Sequence, residues 1–210
     1  DLGIPMDEAV MEYITSALNG TVTAAKYGTA TSRITILCTA CKTFSDVVSG
    51  SWYDSYVKYC LDNKLMTGST ATTFQPAVKM SRAMFVTMLW RLAGSPEPTA
   101  KTAFTDVADG TWYAKAVAWA VEKGITKGIT DTTFVPAQTM SRQEMAAFIY
   151  RYNNSPAVTG ELTYTDAAQI STWAVDAVNY CTAQKLMTGT TATAFGAGGN
   201  ADRATGAAVI

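Results

Sequence analysis

The chain has 210 residues, 48% hydrophobic and only 16% charged, with a net charge of −1 and no histidine. So low a charge excludes an electrostatic grip on nucleic acid or on an anionic membrane surface, so a charged ligand must be met by local groups. Without histidine the usual general base and the commonest metal ligand are gone, and no apolar run approaches the roughly 20 residues of a membrane span.

Residues 1–42 predict two helices, over 6–18 and 32–41. This segment reads either as a degenerate partial copy of the pattern downstream of it or as an unrelated helical lead-in. Cys38 and Cys41 form a C-x-x-C with no second pair and no His to complete a zinc site. They read as a pair one helical turn apart, without metal. No basic-then-apolar leader opens the sequence, so an exported form would be the mature one.

Residues 43–95 open with Phe44-Ser45-Asp46-Val47, pass through a turn at Gly50 and reach Trp52-Tyr53. From there Trp52, Tyr53, Tyr56, Val57, Cys60 and Leu61 recur at helical spacing, which predicts an amphipathic helix with that apolar face inward. A polar loop after Gly68 closes at Phe74-Gln75-Pro76, with Phe74 as its apolar plug. Met80-Ser81-Arg82 then announces a second helix, Ser81 being a good N-cap and Met80 its hydrophobic staple. Its buried face runs through Phe85, Met88, Leu89 and Leu92.

The same pattern returns over 103–152. Phe44, Trp52, Gly68, Phe74 and Arg82 each have a counterpart 60 residues on, at Phe104, Trp112, Gly128, Phe134 and Arg142. Ser141 and Glu144 complete an S-x-x-E capping box. A third copy over 163–210 starts at Tyr164 and keeps Trp173, Gly189, Phe195 and Arg203, with one residue added before Trp173. Here Asp202 replaces the capping Ser, and Gly206 takes the slot of Phe85 and Met145. That change removes a core side chain and costs the helix about 1 kcal/mol. A fixed period of this kind means a repeat architecture. Units of about 50 residues are marginal alone, so the copies are expected to share a core. Cys60 and Cys181 occupy one slot, with Ala120 between them. The slot reads as a tight buried position, and the alternative is a Cys60–Cys181 disulfide if the slots converge.

Phe-x-Asp-Val, the Trp, Gly-x-x-x-x-x-Phe-x-Pro and Ser-Arg-x-x together resemble the surface-layer homology repeat in three tandem copies. That resemblance implies a mainly α fold in which three two-helix repeats form a pseudo-threefold body, with a central helix bundle and loop-rich prongs. It also implies an exported, cell-surface module that anchors proteins non-covalently by binding secondary cell-wall polysaccharide. The ligand would be an acidic sugar such as a pyruvylated one. The family's Thr-Arg-Ala-Glu-like motif falls here on Ser81-Arg82, Ser141-Arg142 and Asp202-Arg203.

The physical reading agrees with that placement. A guanidinium forks onto a carboxylate, free N–H groups at a helix start favour the same charge, and Trp52, Trp112 or Trp173 can cover a sugar face. Gly68, Gly128 and Gly189 would let backbone approach closely. Each has a plainer alternative: a solvated Arg, a core Trp, a turn glycine. Asp46, Asp106 and Asp166 read as caps or turn formers. Copy two, complete in every landmark, is the expected binder through Trp112, Gly128, Ser141 and Arg142. The rival to glycan binding is a structural or assembly module packing against other surface proteins. No nucleophile sits beside a base and no phosphate loop is present, so neither an enzyme nor a cofactor or metal is expected.

Overall fold

A computed structural model describes residues 44–210, so the helices and the cysteine pair expected within 1–42 lie outside the described residues. Over 44–210 the chain forms six α-helices and two short 3₁₀ turns, at Ala167–Gln169 and Thr172–Ala174. Helices α1 (Asp54–Asp62) and α2 (Arg82–Leu92) belong to the first repeat. α3 (Ala114–Glu122) and α4 (Arg142–Tyr152) form the second, and α5 (Val175–Ala183) and α6 (Arg203–Ala208) the third. Among the described residues there are no strands, only isolated bridges between repeats.

Local chemistry explains the boundaries. The side chains of Ser81, Ser141 and Asp202 each accept the N–H three residues on, from Met84, Glu144 and Thr205, which starts α2, α4 and α6. Glu144 completes the expected box, its carboxylate accepting the Ser141 N–H at 2.7 Å. The first helix of each repeat ends on a left-handed residue, with φ of 58° at Lys64, 69° at Gly124 and 58° at Lys185. Glycine is therefore a convenience in that slot, which lysine also fills.

Each loop is then stapled to the entrance of its own repeat. Both carboxylate oxygens of Asp46 accept main-chain N–H groups, from Phe74 at 2.8 Å and Gln75 at 2.6 Å. Asp106 does the same for Phe134 and Val135, and Asp166 for Phe195 and Gly196. These are the turn-forming roles expected of the aspartates. The plugs Phe74, Phe134 and Phe195 are fully buried. Each packs on the aromatic that opens its repeat, with ring centres 5.7–5.9 Å apart. Gly68 has to be glycine for this reason, since a Cβ there would lie 2.3 Å from the Phe44 ring.

The repeats close on one another cyclically. α2 packs against α3, α4 against α5, and α6 returns to α1. At the centre three main-chain hydrogen bonds form a ring: Met80 N–H to Ala201 O, Ala201 N–H to Met140 O, and Met140 N–H to Met80 O, all 2.9 Å. Phe85 and Phe148 meet where α2 touches α4, their ring centres 6.4 Å apart. Burial is thus shared among units too small to bury a core singly.

Two expectations need correction, and the buried-slot reading of the two cysteines holds over its alternative. The apolar face read for α1 is only partly inward: Val57 and Cys60 are buried, but Trp52 and Tyr56 stand in solvent. Cys60 and Cys181 are free thiols, not a disulfide, because they sit in different interfaces. Cys60 faces the Ala207 carbonyl of α6, and Cys181 that of Ala146 in α4. Gly206 leaves no hole, because Met80 of the first repeat fills the slot, its Cε 2.1 Å from where a Cβ would stand.

Candidate functional site

The recurrent arginine begins the second helix of each repeat and reaches into the loop of the next. Arg82 donates through Nε to the Phe134 carbonyl at 2.9 Å, Arg142 to that of Phe195 at 3.0 Å, and Arg203 to that of Phe74 at 2.9 Å. Each guanidinium also lies over the ring of the phenylalanine it bonds, 4.4–4.9 Å from the ring centre. Nη2 of Arg203 adds the Thr67 carbonyl at 2.7 Å, and Nη2 of Arg142 that of Thr188. Thr67 and Thr188 immediately precede Gly68 and Gly189. Arginine and glycine are therefore brought together across repeat boundaries, Arg142 with Gly189 and Arg203 with Gly68.

The N–H groups at these helix starts, expected to be free for an anion, are occupied. Arg82, Arg142 and Arg203 donate their main-chain N–H to Gln138, Gly199 and Val78, and the following residues donate to Pro136, Ala197 and Pro76. The cap side chains take the third N–H, so the first turn has no orphan donors left to offer. The same hydrogen bonds tie repeat to repeat.

The three arginines differ in enclosure. Arg82 is 2% exposed and Arg203 6%, whereas Arg142 is only half-buried. Burial pulls all three guanidinium pKa values below the ordinary arginine value. Nearby negative charge opposes it, from Glu144 at Arg82 and from Asp46 at Arg203. At Arg142 the opposition includes Asp202 and Asp166. Arginine stays charged throughout. Arg82 is also paired with Glu144 at 3.6 Å. Arg142 is thus the most exposed of the three.

Trp52, Trp112 and Trp173 are 51–61% exposed just ahead of the first helix of each repeat. The first two stand edge-on to Tyr53 and Tyr113. In the third repeat the turn before the tryptophan is bonded to the neighbour of an arginine in the chain: the Ser171 N–H donates to Gln143 Oε1 at 2.9 Å. That bond holds the turn carrying Trp173 against the first turn of α4, beside Arg142. Among the described residues no group of three His, Cys, Asp or Glu could hold a metal ion.

Sequence reading found the arginines and tryptophans but not the carbonyls that hold the arginines. A signal was present, since the Arg and the loop Phe recur in all three copies and stay in step. What periodicity could not give is that the partner lies in the following copy.

Three helix pairs packed cyclically, each preceded by a solvent-exposed tryptophan, define a repeat-built helical module. The model of the S-layer homology domain matches residues 43–84, 103–146 and 163–205, and the chain belongs to that family. At that level it is a cell-surface module that anchors to the cell envelope. It is 34% identical over 172 residues to an endoglucanase of Bacillus sp. (strain KSM-635), covering 80% of this chain and 18% of that protein. Similarity to the S-layer protein EA1 of Bacillus anthracis is 28% over 162 residues, 76% of this chain and 18% of the relative. A cellulosome-anchoring protein of Acetivibrio thermocellus is 31% identical over 138 residues, 63% of this chain and 30% of its own length. The chain therefore spans less than a third of each of these relatives.

Proposed function

We propose that this module holds its protein on the cell envelope by binding secondary cell-wall polysaccharide non-covalently, through an acidic sugar such as a pyruvylated one. The observation that carries the reading is the tryptophan that stays more than half exposed in the same slot of every repeat. At the boundary of repeats two and three, the Trp173 turn is tied to the helix start that bears the half-buried Arg142. A glycan seated there stacks a sugar face on Trp173 and offers its carboxylate to the outer edge of the guanidinium. Gly189, adjoining the Thr188 carbonyl that Arg142 meets, keeps that wall low. Arg82 and Arg203 serve the same design as clasps, their charge lying beneath the other two boundaries. The cyclic contacts also support the pseudo-threefold body and bundle of the family.

This segment acts by binding and not by catalysis, whatever larger protein carries it. Endoglucanase, S-layer and cellulosome-anchoring relatives share the matched region, which favours an attachment part that serves several proteins. Pull-down with purified wall polysaccharide tests the proposal. Trp112→Ala with Trp173→Ala should lose retention, and so should the wild type when the acidic group is stripped from the polymer. Undiminished binding in both arms refutes it.

A second reading has its own support. Arg82 and Arg203 are spent on internal contacts, and the exposed aromatics suit protein packing as well as sugars. On that reading the module assembles with other surface proteins, and retention on deproteinised walls counts against it.

A further inference from the structure

Arg142 and Arg203 make matching contacts and differ in exposure. Each donates Nε to a loop phenylalanine carbonyl and Nη2 to the carbonyl of a threonine that precedes a glycine, and each covers the phenylalanine ring. Yet Arg203 is buried and Arg142 only half-buried. The cause lies in what flanks the side chain, not in what holds it. The aromatic that opens the next repeat works the other way, since Tyr164 is larger than Phe44.

The loop residue whose carbonyl accepts each arginine's main-chain N–H supplies the difference. It is Val78 for Arg203, Gln138 for Arg82 and Gly199 for Arg142, each bond being 2.9 Å. A Cβ on Gly199 would stand 3.6 Å from Arg142 Cδ, in contact with the arginine stem, whereas one on Gly198 would touch nothing and one on Gly196 would meet Thr190. The backbone does not demand glycine here. Gly199 lies outside the left-handed region. Its turn, with the N–H donated to the Gly196 carbonyl at 3.0 Å, recurs where side chains are present, from Val78 to Gln75 and from Gln138 to Val135, both 3.1 Å. The 3.1 Å approach of a Gly199 Cβ to the Gly196 carbonyl is therefore one that the same turn accommodates twice elsewhere.

We propose that Gly199 is the residue that admits a carboxylate to Arg142, so that the acidic group of a sugar is read at the boundary of repeats two and three. At the other two boundaries the side chains of Gln138 and Val78 close over the arginine stem, and Trp112 and Trp52 offer a stacking face without an open guanidinium. No carboxylate has to be displaced first, since among the described residues none is ion-paired with Arg142. The acidic neighbours are committed elsewhere: Asp202 accepts the Thr205 N–H at 2.7 Å, and Asp166 those of Phe195 and Gly196 at 2.8 Å. A carboxylate arriving there meets a fork whose far side is already fixed by two carbonyls, so little ordering is left to bind it. The inference rests on the glycan reading for what binds, and on geometry for where access lies.

Phenylglyoxal modification mapped by peptide mass reads guanidinium access without any glycan. Arg142 should react faster than Arg82 and Arg203. Gly199→Val should slow it to the rate of Arg203, and Val78→Gly should speed Arg203 toward that of Arg142. Gly199→Gln, which borrows the side chain of Gln138, serves if valine unfolds the loop. On purified acidic wall polysaccharide Gly199→Val should weaken retention about tenfold, the loss of one hydrogen-bonded charge contact, and adding Val78→Gly should restore part of it. Labelling as expected with no polysaccharide held by the wild type would refute the glycan reading while upholding Gly199 as the residue of access. Equal labelling of Arg142 in the wild type and in both Gly199 variants, or wild-type retention that Gly199→Val leaves intact, overturns the inference.

Discussion

Arg203 reaches across 129 residues of sequence to donate its Nε to the Phe74 carbonyl, 2.9 Å away. That bond ties the start of the last helix to the first loop and closes the cycle of repeats. The equivalent clasp at Arg82 is the most enclosed of the three, with a cation–ring contact, a carbonyl acceptor and Glu144 around one guanidinium. Arg82→Ala leaves the Phe134 carbonyl and Glu144 without their partner, at a cost of about 3 kcal/mol. Arg82→Lys should recover little of that loss, because a point charge replaces neither the fork nor the flat face. Arg142→Ala, at a half-buried site, should cost roughly half as much. Denaturant unfolding of the three variants measures the order, and a smaller effect at Arg82 than at Arg142 contradicts it.

The tryptophans should behave in the opposite way. Trp112 is 60% exposed, so Trp112→Ala should change stability by no more than about 0.5 kcal/mol. The same variant should lower retention on wall polysaccharide. Parallel melting and pull-down measurements separate the two effects. A large drop in melting temperature would make Trp112 a packing residue.

Much of this division was legible beforehand, where the cause is local. Ser81, Ser141 and Asp202 cap their helices because a hydroxyl or carboxylate three residues ahead of an N–H is a property of the nearby chain. Phe74 was readable as a plug for a similar reason, being an isolated aromatic in a polar loop. The arginines were readable as important and not as clasps, since their partners are carbonyls in another repeat. Carbonyl positions leave no trace in residue identity. Trp52 was misplaced on the buried face because helical spacing groups residues by angle, and the helix begins only at Asp54, after the tryptophan. Tyr56 was misplaced because what packs on α1 comes from the third repeat, through α6, which no pattern within the first repeat records.

Acid should loosen the third repeat's loop through its aspartate. Hydrogen bonds from the N–H groups of Gly196 and Phe195 hold the Asp166 carboxyl below the ordinary aspartate range. The folded form therefore takes up that proton less readily than the unfolded chain. The resulting stabilisation is complete above the ordinary value near pH 3.9 and falls away as pH drops through the lower folded value. Asp166→Asn removes it at neutral pH. The stability gap between wild type and Asp166→Asn should narrow as melting is followed from pH 7 toward pH 2, and a pH-independent gap refutes the assignment.

The two buried thiols should be silent in the folded protein. Burial pushes Cys60 up to about 11 and Cys181 up to about 12, so neither is a thiolate at neutral pH. Maleimide labelling followed by peptide mapping should leave both unmodified in buffer and modify both in denaturant. Rapid native labelling of either would mean that its interface, α1 with α6 or α4 with α5, opens readily.

Met80 and Gly206 offer the sharpest test of packing between first and last repeats. A Cβ on Gly206 would stand 2.1 Å from Met80 Cε and 3.4 Å from its Sδ, so methionine and glycine divide one volume between them. Met80→Ala empties that volume and should cost about 2–4 kcal/mol. Gly206→Ala in the wild type sets a helix-propensity gain of about 1 kcal/mol against displacement of a fully buried thioether. In the Met80→Ala background the obstruction is gone, and the gain remains together with partial refilling of the cavity. Gly206→Ala should therefore stabilise the Met80→Ala protein by more than it does the wild type, with a coupling above about 0.5 kcal/mol. Additivity within that margin in denaturant unfolding would show that Met80 does not hold the slot, and Gly206 would then be the simple loss its sequence position suggests.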